Sequence, residues 1–237
     1  MRRAGSVVAQ ILLEISDLVK PGATTADLDL FAQTRTKELG AKPAFKGYHG
    51  FPATLCVSVN EEVVHGIPSK KRILKDGDIV GIDFGVVLDG WFGDSARTFP
   101  VGKVSHEAEK LLEITEKSLY LGIEQARPGN HLFDIGHAVQ NFVESHGYSV
   151  VREFVGHGIG KSLHEDPQVP NFGIRGKGML LKPGMVLAIE PMINAGKPEV
   201  RVLSDGWTAV TVDKALSAHF EHTVAITEQG PEILTRV

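Results

Sequence analysis

Cysteine is almost missing from this chain of 237 residues, with Cys56 the single one. An internal disulfide is therefore excluded, which fits a reducing compartment. A centre built from several thiolates is excluded too, so any metal site must draw nitrogen and oxygen ligands from the ten histidines and the carboxylates. No run approaches the ~20 apolar residues of a membrane span. The first residues carry Arg2 and Arg3, but Glu14 and Asp17 break the apolar run and no cleavage-like site follows, so no leader is expected. A large excess of one charge is also lacking. The net charge of -4 offers nucleic acid no general attraction, and Lys70-Lys71-Arg72 with Lys75 reads as a solvated loop. With 42% hydrophobic and 23% charged residues, the composition is that of an ordinary globular protein. The expectation is a cytoplasmic protein with no DNA and no membrane partner, and a monomer, since nothing demands an oligomer.

Periodicity supplies the elements. Val7, Val8, Ile11, Leu12, Ile15 and Val19 recur at helical spacing until Lys20-Pro21-Gly22. Thr25 reads as the N-cap of a second helix that carries Leu28, Phe31 and Leu39 and closes at Gly40. Residues 54–59 read as a strand, and Val63-Val64-His65-Gly66-Ile67-Pro68 as an apolar segment broken by Gly and Pro. Residues 78–87 and 91–99 form a hairpin about the Asp89-Gly90 turn. Helices over about 105–125 and 132–145 follow, then strands over 149–155, 185–193, 207–212 and 218–226.

The second half echoes the first at one offset. Lys20-Pro21-Gly22 matches Arg127-Pro128-Gly129, Gly40 matches Gly147, Leu74-Lys75-Asp76-Gly77 matches Leu181-Lys182-Pro183-Gly184, and Ile82-Asp83 matches Ile189-Glu190, every pair 107 apart. A helix stop, a helix end, a strand entry and a strand acid on one offset indicate an internal duplication. The fold class is α+β: two pseudo-symmetric halves, roughly 1–104 and 105–237, with joined central antiparallel sheets covered by helices. One domain with a shared core fits the length better than two. Asp83 and Glu190 become equivalent positions facing the axis, and a site between halves is a common home for ligands.

The stretch with the most distinctive chemistry is Phe154-Val155-Gly156-His157-Gly158-Ile159-Gly160-Lys161-Ser162-Leu163-His164. Its glycines argue against a helix and for a strand followed by a bend that aims the imidazoles. Gly160-Lys161-Ser162 looks like the end of a phosphate-binding loop, but Val155 stands where that loop needs glycine. A tight turn with two exposed histidines is the bland alternative. Four acids weigh against it. Asp83 and Glu190 are lone charges in apolar strands, the hairpin returns Asp94 to within about one residue of Asp83 in register, and Glu221 lies in the last long strand. Singly, each has a bland account: Asp94 can pair with Arg97, Glu221 with a histidine, and Asp83 can be a satisfied buried acid. Together they lack basic partners, and two like charges 4 Å apart repel by about 4 kcal/mol at an effective dielectric of 20. Two divalent ions cancel four carboxylates, and His157 adds a nitrogen donor.

These residues carry a resemblance. His65 in Val-His-Gly-Ile-Pro, Asp83 in Ile-Asp-Phe-Gly, Asp94 in Gly-Asp-Ser-Ala-Arg-Thr-Phe, His157 in Gly-His-Gly-Ile-Gly, His164 in Leu-His-Glu-Asp-Pro, Glu190 in Ile-Glu-Pro-Met and Glu221 in Phe-Glu-His-Thr resemble the motifs of type I methionine aminopeptidases, over nearly the whole chain. The resemblance implies the pita-bread fold and removal of the initiator methionine. It implies that Asp83, Asp94, His157, Glu190 and Glu221 ligate two divalent ions of the Co, Mn, Fe, Zn or Ni class, with Asp83 and Glu221 bridging. Glu190 would shuttle the proton as base and then acid, His164 would donate to the scissile carbonyl and His65 would contact the amide nitrogen. By similarity Tyr48, Phe51, Cys56, His65, Leu163 and Trp207 line the methionine pocket, although Tyr48, Phe51 and Trp207 also suit plain core. Asn60 and Ser217 resemble positions whose backbone oxygens hold a structural monovalent cation. The implied partners are N-terminal Met peptides and nascent chains, with transient ribosome contact, although no cysteine-rich N-terminal extension is seen. The first helix begins almost at Met1, where the family usually has a short polar lead. Three rivals stay open: an Xaa-Pro peptidase of the same fold, for whose extra N-terminal domain residues 1–40 leave no room, a pita-bread binding module without catalysis, and a non-enzymatic metal-binding protein.

Overall fold

The computed structural model describes residues 1–236. The first half runs α1 (Arg2–Ser16), α2 (Thr25–Glu38), β1 (Lys42–Pro43), β2 (Cys56–Val59), β3 (Glu62–Val64), β4 (Ile79–Leu88) and β5 (Trp91–Pro100). The second half opens with α3 (His106–Gln125), α4 (Leu132–Ser145), β6 (Ser149–Val150), β7 (Gly156–Gly158) and β8 (Glu165–Val169). It continues with β9 (Val186–Ile189), β10 (Met192–Asn194), β11 (Val200–Val202), β12 (Ala209–Thr211), β13 (Ser217–His219), β14 (His222–Thr227) and β15 (Gly230–Ile233). No helix among the described residues is long and apolar enough to cross a membrane.

The backbone carries the same offset of 107 residues. α4 repeats α2 residue for residue at the 107 offset. β1 pairs with β4, Lys42 opposite Val87, as β6 pairs with β10, Ser149 opposite Asn194. Gly22 and Gly129 both hold φ near +90°, and their amides donate to Leu74 and Leu181, again equivalent residues. The one shared core expected from the length is not what forms; the buried apolar residues make two main clusters, essentially one per half. One packs α1 and α2 on β4 through Ile11, Ile15, Leu28, Val80 and Phe84; the other packs α3 and α4 on β9 and β14 through Leu111, Ile135, Leu187 and Val224.

Helix α2 is capped by Thr24 rather than Thr25. The Asp27 amide donates to Thr24 Oγ1 at 3.2 Å and the Thr24 amide to Asp27 Oδ2 at 2.9 Å, a reciprocal capping box. The Thr25 hydroxyl is spent elsewhere, donating to the Ser69 carbonyl at 3.1 Å and accepting its amide at 2.8 Å.

The halves meet where β5 faces β13 and β14, and side-chain hydroxyls stitch the seam. Thr223 Oγ1 donates to the Asp94 carbonyl at 2.7 Å and accepts its amide at 3.0 Å. Thr98 Oγ1 serves His219 in the same way at 2.8 and 2.9 Å, and Ser95 Oγ donates to the Glu221 carbonyl at 2.5 Å. One backbone bond, Glu221 N to Ala96 O at 2.8 Å, completes it.

Several expected strands are shorter or divided. The run expected over 185–193 splits into β9 and β10 about Glu190-Pro191, where proline removes a ladder donor. The run over 218–226 splits into β13 and β14 about Phe220-Glu221, because Glu221 turns its amide to the other half. The strand over 149–155 keeps only β6. The strand over 207–212 keeps only β12, since the Asp205 carboxylate takes the Trp207 and Thr208 amides at 2.8 and 2.9 Å.

Candidate active site

His157 sits on β7 between glycines that have no room for a side chain. A Cβ on Gly156 would run into the Ala188 carbonyl, and one on Gly158 into that of Asp166. His157 Nδ1 lies 2.9 Å from the Gly158 carbonyl oxygen. A carbonyl only accepts, so Nδ1 carries the proton and Nε2 keeps its lone pair, 3.6 Å from Glu190 Oε1 and 4.0 Å from Asp94 Oδ2. The chain bends, and His164 returns with its ring edge-on to that of His157, centroids 4.3 Å apart. Inside the bend the Ser162 amide is taken by Glu165 Oε1 at 2.8 Å, an acid where a phosphate loop would need space.

Asp83 and Asp94 face the same side of the hairpin. Asp94 stands opposite Gly85 and Asp83 opposite Ala96, so the acids are diagonal neighbours offset by two residues, one more than the sequence suggested. The Asp89-Gly90 turn fixes this pairing. Gly85 makes the space, since a Cβ there would lie 3.3 Å from Asp94 Oδ1 and 2.8 Å from the Phe45 ring. Glu190 and Glu221 occupy the two breaks described above, where the opened ladder turns each acid to the same place. Asp94, His157 and Glu221 bring ligand atoms within 4.8 Å of one another. Asp83 and Glu190 line the same cavity of about 260 Å³, with His65 and His164.

No lysine or arginine lines that cavity among the described residues. Arg97, the cation nearest in sequence to Asp94, reaches Glu116 instead, at 3.8 Å. Asp83 Oδ1, Asp94 Oδ1 and Glu221 Oε1 are buried with no hydrogen-bond partner among the described residues. Burial, then the charges of the neighbouring acids, pushes the carboxyls of Asp83 and Glu221 well above the carboxylate range. Burial and the charge of Glu190 push Asp94 up to about 8, and burial raises Glu190 to about 8. Burial holds His157 and His65 down at about 4, so both imidazoles are neutral, the form that ligates metal. Orphaned carboxylate oxygens, a neutral imidazole and no protein cation form a donor set that divalent metal completes.

The shifts fix a pH dependence for metal-free protein. A carboxyl whose folded pKa is raised holds protons that the unfolded chain releases, so stability falls as pH rises toward the folded value. The lowered histidines act oppositely, most strongly below about pH 6.5, where most of the unfolded histidines are charged. Between about 6.5 and 8 their effect fades and the carboxyls outweigh it. Chelator-treated protein is expected to melt about 3–8 °C lower at pH 8 than at pH 6.5, at ~1.4 kcal/mol per retained proton per pH unit. Excess metal should remove most of that difference. A melting temperature flat or rising over this interval in metal-free protein contradicts the assignment.

The rest of the cavity wall is largely apolar. All six residues expected there from the sequence, Tyr48, Phe51, Cys56, His65, Leu163 and Trp207, line it. Phe51 and Trp207 meet edge to face at 5.1 Å. The buried Cys56 thiol is pushed up by burial and by the charge of Asp83, so it stays neutral. His65 follows β3 at φ 61°, a left-handed conformation that non-glycine residues rarely adopt, and its ring stands edge-on to Phe154 at 5.3 Å. Sequence reasoning missed three residues. Phe45 and His49 line the cavity from the irregular segment around the short helix Tyr48–Gly50, which has no periodicity to read. His219, with Nε2 3.4 Å from Glu190 Oε2, stands two residues before Glu221, and strand alternation from that acid marks it.

Comparison with known proteins agrees with this geometry. The sequence profile of Metallopeptidase family M24 matches residues 1–228. Methionine aminopeptidase 1 of Bacillus subtilis (strain 168) is 58% identical over 237 residues, covering 100% of this chain and 95% of that protein. A methionine aminopeptidase from Thermotoga maritima, known as a crystal structure, matches with a TM-score of 0.99 and 49% identity, covering 100% of this chain and 95% of that chain. A prolidase from Pyrococcus furiosus shares the fold at a TM-score of 0.80 and 23% identity, with the match spanning 63% of its length. The expected pita-bread fold is thereby established, and the chain belongs to metallopeptidase family M24 and, within it, to the methionine aminopeptidases.

Proposed function

We propose that this protein removes the N-terminal methionine from peptides and nascent proteins by metal-dependent hydrolysis of the first peptide bond. One observation carries the reading: a single cavity is lined by four carboxylates together with apolar, aromatic and sulfur-bearing side chains. At about 260 Å³ it falls below the ~300–1,000 Å³ of ordinary ligand clefts, a size for one terminal residue. An unbranched thioether suits the apolar wall. The free α-amine, as the neutral base, belongs beside the carboxylate cluster, which sets the first peptide bond near Glu190 and His164.

Asp83, Asp94, His157, Glu190 and Glu221 fit two divalent ions of the Co, Mn, Fe, Zn or Ni class, four negative charges and one lone pair against two double charges. Such ions, when bound, neutralise the acids and supply an activated water. Glu190 takes the proton of the attacking water on a carboxylate oxygen and passes it to the leaving amine. His164 donates to the scissile carbonyl oxygen as charge builds there. His65 contacts the amide nitrogen of the departing chain. The Asn60 carbonyl, which accepts the Ser217 amide at 2.9 Å, keeps a second lone pair for the structural monovalent cation. One catalytic domain, acting as a cytoplasmic monomer in transient contact with the ribosome, completes the reading.

Trp207 belongs to the apolar wall, held by the two amide bonds to Asp205. Trp207→Ala is expected to reduce the preference for Met over Leu at the first position by about tenfold, the order expected for small shape differences in an apolar pocket. The check is kcat/KM for Met-Ala-Ser against Leu-Ala-Ser, and an unchanged ratio returns Trp207 to plain core. The function itself is tested by offering metal-loaded protein Met-Ala-Ser mixed with Ala-Pro-Ser. Release of Met alone is expected. Release of Ala moves the chain to the Xaa-Pro class, and no turnover by folded, loaded protein favours a binding module.

A further inference from the structure

His157 and His164 are edge-to-face neighbours that use the same ring nitrogen in opposite ways. In His157, Nδ1 faces a carbonyl oxygen, so it must donate and leave Nε2 bare. In His164, Nδ1 lies 2.8 Å from the Tyr48 hydroxyl, which can donate or accept. Two features settle the direction. The phenol is the stronger acid and the imidazole the stronger base, so O–H···N is favoured over N–H···O. Tyr48 Oη also has no other acceptor among the described residues, so within the protein only the donating arrangement gives the phenolic proton a partner.

Tyr48 is held in place to do this. Its amide donates to the Phe45 carbonyl at 2.9 Å, and its carbonyl accepts the Phe51 amide at 2.9 Å. Gly47 and Gly50, both near φ +90°, and His49 at φ 48° fold the segment into a tight knot. The ring then lies 5.2 Å from that of His164, with His157 packed against His164 from another side at 4.3 Å.

We infer that Tyr48 is a positioning residue: its hydroxyl donates to His164 Nδ1 and so fixes the proton on His164 Nε2, the tautomer opposite to that of His157. One imidazole of the pair is thus set as a lone-pair donor and the other as a hydrogen-bond donor. The inference rests on the reading of His164 as donor to the scissile carbonyl. It gives Tyr48 a role separate from lining the methionine pocket, and a phenylalanine would serve the pocket equally well.

The test combines a spectroscopic and a kinetic reading. Zinc-loaded protein labelled with ¹⁵N in its histidine rings is compared with Tyr48→Phe, and the His164 signals are assigned by their loss in His164→Ala. The expected result is an Nε2–H tautomer for His164 in the parent, and a mixture of tautomers in Tyr48→Phe, with His157 unchanged. In turnover of Met-Ala-Ser, Tyr48→Phe should lower kcat about tenfold, the worth of one well-formed hydrogen bond. KM and the Met over Leu preference should stay as they were. Added to His164→Ala, the Phe substitution should cost nothing further. An Nδ1–H tautomer in the parent, or an equal loss in both backgrounds, overturns the inference. Near-normal kcat in His164→Ala instead overturns the reading of His164, a separate outcome.

Discussion

Glu190→Gln is expected to lower Met release by about 10³-fold while leaving the fold intact, within the ~10²–10⁴-fold usual for a general acid–base group. The substitution keeps shape and removes the ability to carry a proton. The local backbone does not depend on the carboxylate, since Asn171 Nδ2 holds the Glu190 carbonyl at 3.0 Å and Pro191 sets the strand break. The side chain itself faces His157 at 3.6 Å and His219 at 3.4 Å, contacts that an amide can replace. The measurement is kcat at saturating metal, with circular dichroism to confirm folding. Near-normal turnover in loaded Glu190→Gln removes the residue from proton transfer.

Asp83→Asn separates stability from function. A buried acid satisfied by its neighbours loses stability when neutralised. Asp83 is in the opposite position. Its neighbours are Asp94, Glu190 and Glu221, its Oδ1 has no partner among the described residues, and burial with like charge raises its pKa. Neutralising it should therefore stabilise metal-free protein at pH 8, by about 1–3 kcal/mol or roughly 3–8 °C, as when an uncompensated buried charge is removed. The same change should abolish the stabilisation by added metal and reduce turnover by about 10³-fold or more, since a ligand acting as part of one unit is lost. A metal-free variant that melts lower than its parent means that Asp83 is an ordinary paired acid.

What the sequence disclosed and what it hid have physical causes. The echo at 107 residues was legible because it is written in punctuation: Gly22 and Gly129 hold the same left-handed backbone and give their amides to Leu74 and Leu181, so neither can drift without losing its partner. Asp83, Asp94, His157, Glu190 and Glu221 were each visible as a polar residue in surroundings that should exclude it, and the fold collects them in one cavity. The break at Glu190-Pro191 had a visible signal in Pro191, which cannot donate to a ladder. The break at Phe220-Glu221 was hidden, because it interrupts an apolar run without a glycine or proline and comes from a tertiary contact, the Glu221 amide reaching Ala96 across the seam. The seam hydroxyls of Ser95, Thr98 and Thr223 read as ordinary strand residues for the same reason. β8 and β11 escaped notice because they are short and mostly exposed, so no alternation marks them. Phe45 and His49 reach the cavity from a segment whose shape is set by left-handed turns rather than by any period.

The central claim is that this carboxylate cluster works only with metal and only on a free chain terminus. The direct measurement is Met release from Met-Ala-Ser by protein stripped with chelator, as Mn or Co is added back, beside N-acetyl-Met-Ala-Ser as a control. The account predicts no release without metal, recovery that saturates as metal is added, and no release from the acetylated peptide at any metal concentration. Equal release with and without metal, or cleavage of the acetylated peptide, would contradict it.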